Sequence, residues 1–473
     1  MPAPTTAAVD PRTRRLLESP IAPLLLRMAA PNVLVLLAQS AAGLIETWFI
    51  GRLGVDALGG VALVFPVVML MQMLSGGAIG GGIASSIARA LGGRRNDEAD
   101  DLTLHAVAVA VAFGVLSTTA AWLVGPALYA RMGGSGESLR VATTYSGWVF
   151  AGATLVWVFN ALASVLRGTG NMNLPATVTL VGTIALVPLS PALIFGVGPL
   201  TGLGVAGGAI ALLVYYAAGT AWLAWAVASG RNVVRPRWRG FRLRRAPLVG
   251  ILRIGLAGAV STVATNVSIA IATGLAGQAG TSAIAGYGTA SRLEYLLVPL
   301  VFGLGGPLVA VVGTCIGAGQ RERALRATWI GAAMAGALTE TIGLLAALFP
   351  EPWIRLFTND PGAIAAGVDD LRIVAPAYGF FGVALLLYFA SQGAGRLLWP
   401  VLGNIARLAV AAAGGWLALR AGWGLVGVFG AQAAALVVYG AVNAGSIAAG
   451  AWFGQPAWRR STSVPPAGAL HEA

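Results

Sequence analysis

Twelve apolar stretches occupy most of this chain of 473 residues, and each is long enough to cross a lipid bilayer as a helix of about 20 residues. Hydrophobic residues make up 57% of the sequence and charged residues 10%, which is outside the usual range of soluble domains. The predicted spans, bounded to within about four residues, are 25–50, 57–90, 103–130, 141–165, 174–196, 203–229, 248–277, 282–316, 327–350, 367–391, 398–420 and 425–453. The sequence therefore predicts an all-α polytopic membrane protein with twelve transmembrane helices.

A spacing of 225 residues recurs through the chain and indicates that one six-helix unit occurs twice. The matching pairs are Gly80 and Gly81 with Gly305 and Gly306, Gly92 with Gly317, Ala99 with Ala324, Gly168 and Gly170 with Gly393 and Gly395, and Pro175 with Pro400. Because six is an even number of spans, the second bundle enters the membrane in the same orientation as the first, so the two form a parallel repeat. Transporters built in this way bind their substrate between the repeats and open alternately to either side.

The basic segment 230–246, RNVVRPRWRGFRLRRAP, is the one strong change of composition in the interior of the chain. It separates the two predicted bundles. We expect an N-terminal tail (1–22), an N-terminal six-helix bundle (23–229), a basic linker (230–246), a C-terminal six-helix bundle (247–454) and a C-terminal tail (455–473).

The basic residues are distributed unevenly between the two sides of the predicted membrane. All 30 are Arg; 19 lie in the tails and loops of one side, and five lie on the other. Since positively charged loops remain in the cytoplasm, both termini and the linker are expected there, in a bacterial inner membrane. The net charge of +13 then reflects topology and some affinity for anionic membrane lipid, not binding of nucleic acid.

Several classes of activity lack the residues that they need. The two histidines, His105 and His471, offer poor support for an enzyme, since a membrane hydrolase or acyltransferase needs a nucleophile with a positioned base. The single Cys315 allows no internal disulfide and no multi-cysteine metal site, and is expected to serve packing. Without Lys there is no nucleotide-binding GxxxxGK[ST] motif. We therefore predict no catalytic residue, no cofactor and no metal site.

Of the 17 acidic residues, 14 are assigned to loops, tails or helix ends, which leaves Glu46, Glu294 and Glu340 within the predicted spans. An ionisable group in hydrocarbon costs several kcal/mol unless it is paired, hydrated or neutralised, so each is a candidate ion-coupling residue. A neutralised carboxyl can bind and release H⁺ as access alternates, and a carboxylate with other oxygens can hold Na⁺. The residues alone leave both coupling ions open.

The structural alternatives are that Glu46 reaches the membrane interface or pairs with Arg52, and that Glu294 pairs with Arg27 or Arg253. Glu340 has no nearby base and is expected to be protonated or to face water.

Polar and aromatic residues inside the spans are candidates for substrate binding. Aromatic rings that face a cavity attract flat or cationic compounds, and amides add hydrogen bonds. The alternative is that the amides bridge helices. The candidates are Gln39, Phe65, Gln72, Trp157, Asn160, Asn266, Tyr287, Tyr295, Tyr378, Tyr388 and Gln392.

Four segments resemble the multidrug and toxic compound extrusion (MATE) transporters and keep the order of that family's motifs. They are IETWFIGRLGVDALGGVAL (45–63), RGTGNMNLP (167–175), IFGVGPLTGLGVAGGAIA (194–211) and SRLEYLLVPLVFGLGGPLVAVVGTCIGAGQRERA (291–324). The resemblance covers nearly the whole chain. It implies two six-helix lobes, a central cleft, and export of amphipathic, often cationic compounds in exchange for H⁺ or Na⁺. We expect a functional monomer whose partners are small organic substrates and lipid.

The resemblance places the family's first-helix acid on Glu46, where most members have Asp. The family's Asn and Asp in the fifth helix fall on Leu186 and Ser190, so that pattern is absent. No acid is expected in the seventh or tenth span, where Na⁺-coupled members carry theirs, and this favours H⁺. The runner-up function is a flippase of lipid-linked precursors, but arginines within spans are few and mostly near helix ends: Arg27, Arg89, Arg253, Arg292, Arg372 and Arg407.

Overall fold

The computed structural model describes residues 10–198, 200–230, 232–236 and 240–454, and nearly all of them are helical. A two-stranded antiparallel turn, β1 (Gly196–Val197) with β2 (Leu200–Thr201), interrupts the helices. The α-helices are α1 (Pro11–Glu18), α2 (Ile21–Gly51), α3 (Val55–Gln72), α4 (Gly80–Gly92), α5 (Asn96–Arg131), α6 (Gly136–Ala151), α7 (Ala153–Gly168), α8 (Asn173–Phe195), α9 (Val205–Ala228), α10 (Arg245–Gly277), α11 (Thr281–Gly317), α12 (Arg321–Leu348), α13 (Pro350–Arg355), α14 (Pro361–Val374), α15 (Tyr378–Ala394), α16 (Leu398–Arg420) and α17 (Gly424–Ala448).

Twelve spans arise from these helices, as predicted. Within the described residues, eleven segments are long and apolar enough to cross a membrane, and α6 with α7 form one further span that bends by 46°. Two other spans are composite. The second joins α3 to α4 through a π-helical segment, Met73–Ile79, and the tenth joins α14 to α15 through a 3₁₀ turn, Ala375–Ala377. The protein is therefore an all-α multi-pass membrane protein.

The 225-residue repeat is visible in the packing as well as in the sequence. A Cβ added to Gly168 would lie 2.6 Å from the carbonyl oxygen of Ala84, and one added to Gly393 would lie 2.8 Å from that of Val309. Ala84 and Val309 are themselves 225 residues apart. Repeat-related glycines thus let repeat-related backbones approach, which is how helices pack closely in lipid.

The described residues form two compact units that do not coincide with the two halves of the sequence. One unit contains the described chain up to Val267, with Ser291–Ala335 and Phe389–Leu397, and its core includes fully buried Ile87 and Leu166. The other contains Ser268–Ala290, Gly336–Tyr388 and the described chain from Leu398. The division into bundles 23–229 and 247–454 follows the repeat and stays a prediction.

Parts of the predicted tails and linker lie outside the described residues: 1–9, Arg231, 237–239 and 455–473, with His471. The described part of the N-terminal tail forms α1, which docks on the first unit. Thr13 and Leu16 are buried, and the Arg323 guanidinium donates to the carbonyl oxygen of Leu16 over 3.1 and 3.2 Å and to that of Ser19.

Arg323→Ala is expected to loosen α1 and to raise the rate of tryptic cleavage at Arg14 and Arg15 by about tenfold, since hydrogen bonds from a charged donor contribute about 1.5 kcal/mol or more. Release of the N-terminal peptide, followed by mass spectrometry, measures this rate. Arg326→Ala is the matched control, because Arg326 lies one turn away and is exposed. Equal rates for the two variants would show that Arg323 does not hold α1.

Candidate functional site

Glu46 is half-buried near the C-terminal end of α2. The hydroxyl of Ser190, in α8, donates to its Oε1 across 3.5 Å. Tyr145, in α6, and Tyr216, in α9, lie close enough to interact with its charge. The alternative ion pair with Arg52 is not formed, because that guanidinium lies over the Trp48 ring at 5.1 Å. The carboxyl group therefore lies where α2 meets α8, with tyrosines of α6 and α9 within reach of its charge.

A second set of polar side chains lies about two helical turns from Glu46, on the faces of α2 and α8 that carry Glu46 and Ser190. Gln39 precedes Glu46 by seven residues in α2, and Thr183 precedes Ser190 by seven in α8, a separation of about 10 Å along a helix. The Tyr215 hydroxyl lies near Gln39, Thr179 and Thr183, without hydrogen-bond geometry to any of them. The result is a polar seam that runs from Gln39 to Glu46 between α2, α8 and α9.

An apolar cluster lies next to Glu46 on the side away from Gln39. Ile50 and Ile194 follow Glu46 and Ser190 by four residues, so they lie one turn further along the same faces, and they pack with Ala57. A pocket of about 380 Å³ lies at this end of the helices. It is lined by Leu53, Gly54, Val55, Asp56, Ala57, Glu137, Arg140, Val141, Thr144, Leu203, Gly204, Val205 and Ala206. The carboxyl group is thus shielded by one apolar layer from a polar pocket.

The π-helical segment brings together two of the predicted substrate-binding amides. Asn160 Nδ2 donates to Ser75 Oγ over 2.9 Å, and Gln392 Nε2 donates to the carbonyl oxygen of Gly77 over 3.2 Å. Gln72, a further candidate, is the residue just before the segment, and its carbonyl oxygen accepts from Ser75. Segments of π-helix in proteins are frequently found at functional sites. The amides here hold helices together, as the alternative reading proposed.

The other two acidic candidates lie elsewhere. Glu294 is half-buried in the fourth turn of α11, in the first unit. Glu340 is half-buried in α12, in the second unit, and its Oε2 accepts the backbone N–H of Gly379 over 2.8 Å. We expected Glu340 to be protonated or to face water; the structure gives it a backbone donor. Glu46 and Glu294 therefore belong to the first unit and Glu340 to the second.

The remaining substrate-binding candidates differ in exposure. Phe65 and Tyr295 are 56% and 49% exposed, and Gln39 and Asn266 are also exposed, although the Asn266 amide donates to its own helix at Thr262. The following are buried and offer a substrate little surface in this conformation: Trp157, Tyr287, Tyr378, Tyr388 and Gln392. Trp157 stacks on Phe113 and donates to Ser117, which explains its burial.

The family follows from comparison with known proteins. The MatE family model matches residues 31–192 and 258–417, one match in each half of the chain. The chain belongs to the MatE family. A FAD transporter of Shewanella oneidensis is 27% identical over 83% of this chain and 87% of that protein. A probable multidrug resistance protein NorM of Thermotoga maritima is 25% identical over 80% of this chain and 81% of that protein.

Solved structures show the same fold. A MOP superfamily transporter from Pyrococcus furiosus superposes with a TM-score of 0.84, over 92% of this chain and 97% of that one, at 22% identity. A structure described as a multidrug resistance MATE family transporter in an outward-facing conformation superposes with a TM-score of 0.83 at 23% identity. The predicted twelve-helix fold is thereby confirmed.

Two points of the predicted MatE pattern are refined by the structure. Ser190 keeps contact with Glu46 although the family's fifth-helix Asn and Asp are absent. The expectation of no acid in the tenth span is wrong, because Asp369 and Asp370 lie within the predicted bounds 367–391, and α14 places Asp370 in its third turn, only 3% exposed. Sequence reasoning also missed Tyr145, Tyr215 and Tyr216; the adjacent tyrosines in an otherwise apolar span were the available signal.

Proposed function

We propose that this MatE protein is a secondary-active efflux transporter that exports amphipathic, cationic organic compounds in exchange for H⁺. The proposal depends on the environment of Glu46. Its carboxyl group lies inside a span, accepts from the Ser190 hydroxyl and lies near two tyrosines. We place the protein in a bacterial inner membrane with both termini cytoplasmic, as the arginine distribution favours.

Proton coupling is preferred to Na⁺ coupling on the chemistry of the groups around Glu46. One carboxyl group suffices to carry one proton, whereas a hard metal cation takes several oxygen ligands. In the part of the chain that the structure describes, the residues that interact with Glu46 supply a hydroxyl and phenols and no second carboxylate. Gln39, Thr183 and Tyr215 add polar side chains about two turns away along the same helices. Glu294 stays a prediction for a second coupling group.

The substrate class rests on the relatives and on exposed aromatic rings. Phe65 and Tyr295 are exposed within spans, and aromatic faces attract cations. Relatives named as multidrug resistance proteins match most of the chain. These features favour a broad set of flat, positively charged compounds.

Phosphate-bearing cargo is the second candidate, since one relative is named a FAD transporter and the runner-up flippase also carries phosphates. Such cargo calls for accessible arginines. The Arg89 guanidinium is engaged by Ser85, Ser86 and the carbonyl oxygen of Gly393, and Arg407 is 4% exposed beside two aromatic rings. The other four arginines within spans are exposed: Arg27, Arg253, Arg292 and Arg372. Phosphate-bearing cargo therefore stays the second candidate, and the preference for cationic cargo rests on the relatives and the aromatic rings.

Proteoliposomes with an acidic lumen are expected to accumulate the fluorescent cation ethidium, because protons leaving the lumen drive the dye inward. The membrane potential is clamped with K⁺ and valinomycin, and vesicles loaded with Na⁺ at equal pH form the matched arm. Ethidium accumulation driven by the Na⁺ gradient at equal pH would show that Na⁺, and not H⁺, is the coupling ion. Accumulation of FAD but not of ethidium would mean that the substrates are phosphate-bearing and not cationic. Accumulation of neither compound would refute the proposed export.

A further inference from the structure

The fourth and tenth spans are interrupted at positions related by the 225-residue repeat. The fourth breaks at Gly152, between α6 and α7, and the tenth at the 3₁₀ turn Ala375–Ala377, between α14 and α15. Residues 152 and 377 are 225 apart. A break leaves carbonyl groups at the end of one helix and N–H groups at the start of the next without helical partners. Inside a membrane, a neighbouring element has to supply those partners.

The two breaks are satisfied by different side chains of the preceding span. In the fourth span, the Thr118 hydroxyl donates to the carbonyl oxygen of Phe150 over 2.6 Å. The residue that corresponds to Thr118 in the second half is Gly343, which lies against the carbonyl oxygen of Ala375 and has no hydroxyl to offer. In the tenth span, Glu340 instead accepts the N–H at the start of α15. The second half thus replaces a hydroxyl donor by a carboxylate acceptor.

The surface of α12 is shaped to place this carboxyl group. Gly336, Glu340 and Gly343 are separated by four and three residues, so they share one face. A Cβ at Gly336 would meet Val383 at 2.7 Å, so α15 lies close to this face. Glu340 is the only one of the three with a long side chain, and it is the residue that reaches α15.

Gly379 and Glu340 fit each other. A Cβ at Gly379 would lie 2.5 Å from Glu340 Oε2, so the carboxylate fills the space where a side chain would stand. The neighbouring hydroxyls do not serve Glu340, because Thr339 donates to Gly336 and Thr341 donates to Ala337 within α12. The start of a helix carries partial positive charge, which favours a carboxylate at this position.

We propose that Glu340 is a positioning residue of the transport cycle: its carboxylate caps α15 and fixes the break in the tenth span, and it does not carry the coupling ion. The inference depends on the proposed export function. From the break, α15 continues to Gln392, whose amide bonds to Gly77 in the π-helical segment. A change at the start of α15 therefore acts on the helix that carries Gln392.

Three variants of this pair test the role through ethidium accumulation driven by the pH gradient. Glu340→Gln keeps an oxygen acceptor for the Gly379 N–H and is expected to retain most of the rate and its dependence on the gradient. Glu340→Leu removes the acceptor and is expected to lower Vmax by about tenfold or more with little change in KM. Gly379→Ala leaves the carboxyl group in the chain but displaces it, and is expected to resemble Glu340→Leu. Thr341→Val is the matched control.

Hydrogen exchange of the 374–382 peptide supplies a readout that does not depend on transport, and we expect faster exchange in Glu340→Leu and Gly379→Ala. Loss of gradient dependence in Glu340→Gln would overturn the proposal and make Glu340 an ion carrier. Wild-type rate and exchange in Glu340→Leu would also overturn it. If Glu340→Leu does not fold, Gly379→Ala decides by the same measurements. Failure of the wild-type protein to accumulate ethidium would refute the proposed function instead, while the exchange result still tests the cap.

Discussion

Glu46→Gln is expected to reduce ethidium accumulation driven by a pH gradient to the level of protein-free liposomes. The amide keeps the size of the side chain and can still accept from Ser190, but it cannot bind and release a proton. Glu46→Asp keeps a carboxyl group and is expected to retain export. Ethidium binding in detergent, followed by fluorescence, should stay close to wild type in both variants, since Glu46 is assigned to the ion and not to the substrate.

Glu137→Gln is the control for the loss of one carboxylate in the same unit. Glu137 is exposed at the start of α6, pairs with Arg140 and lines the pocket of about 380 Å³, so its loss should leave export nearly unchanged. Full export by Glu46→Gln would contradict the assignment of the coupling site. An equal loss in Glu137→Gln would mean that charge at this end of the protein matters, and not proton exchange at Glu46.

The sequence predicted the repeat because small residues are the part of a membrane fold that tolerates least change. Gly168 and Gly393 admit the backbones of Ala84 and Val309, and any larger residue would separate those helices. Such positions keep their spacing in the chain, so a repeat can be read from them without a structure. The number of spans could also be predicted, because a helix needs about 20 apolar residues to cross the bilayer.

The surroundings of each carboxyl group could not be read from the sequence. Ser190 and Glu46 are 144 residues apart, and hydropathy does not show which faces of α2 and α8 meet. For Glu340 the partner is a backbone N–H at Gly379, and no sequence pattern shows which backbone groups a helix break leaves free. The family resemblance assigned a role to Glu46 but did not assign one to Glu340. The internal repeat gave no help either, since this carboxylate occurs in the second half alone.

Gly92→Leu is expected to destabilise the protein by about 3 kcal/mol or more, which is the upper range for overpacking a tight contact. A Cβ at Gly92 would overlap the carbonyl oxygen of Thr314, and the Thr314 Cα would lie at 2.9 Å, so α4 and α11 would have to separate. Backbone atoms cannot rotate away as a flexible side chain can. The apparent melting temperature in detergent, followed by size-exclusion chromatography of heated samples, measures the loss.

Gly317→Leu is expected to cost the same, because a Cβ at Gly317 would overlap the carbonyl oxygen of Arg89, and Arg89 and Thr314 are also 225 residues apart. Gly43→Leu is the control: it lies in α2 with no atom within 4 Å of an added Cβ, and its change should stay within about 0.5 kcal/mol. Stability of Gly92→Leu equal to that of Gly43→Leu would contradict the close crossing of α4 and α11. A loss at only one of the two glycines would mean that the repeat persists in the sequence while the packing has become asymmetric.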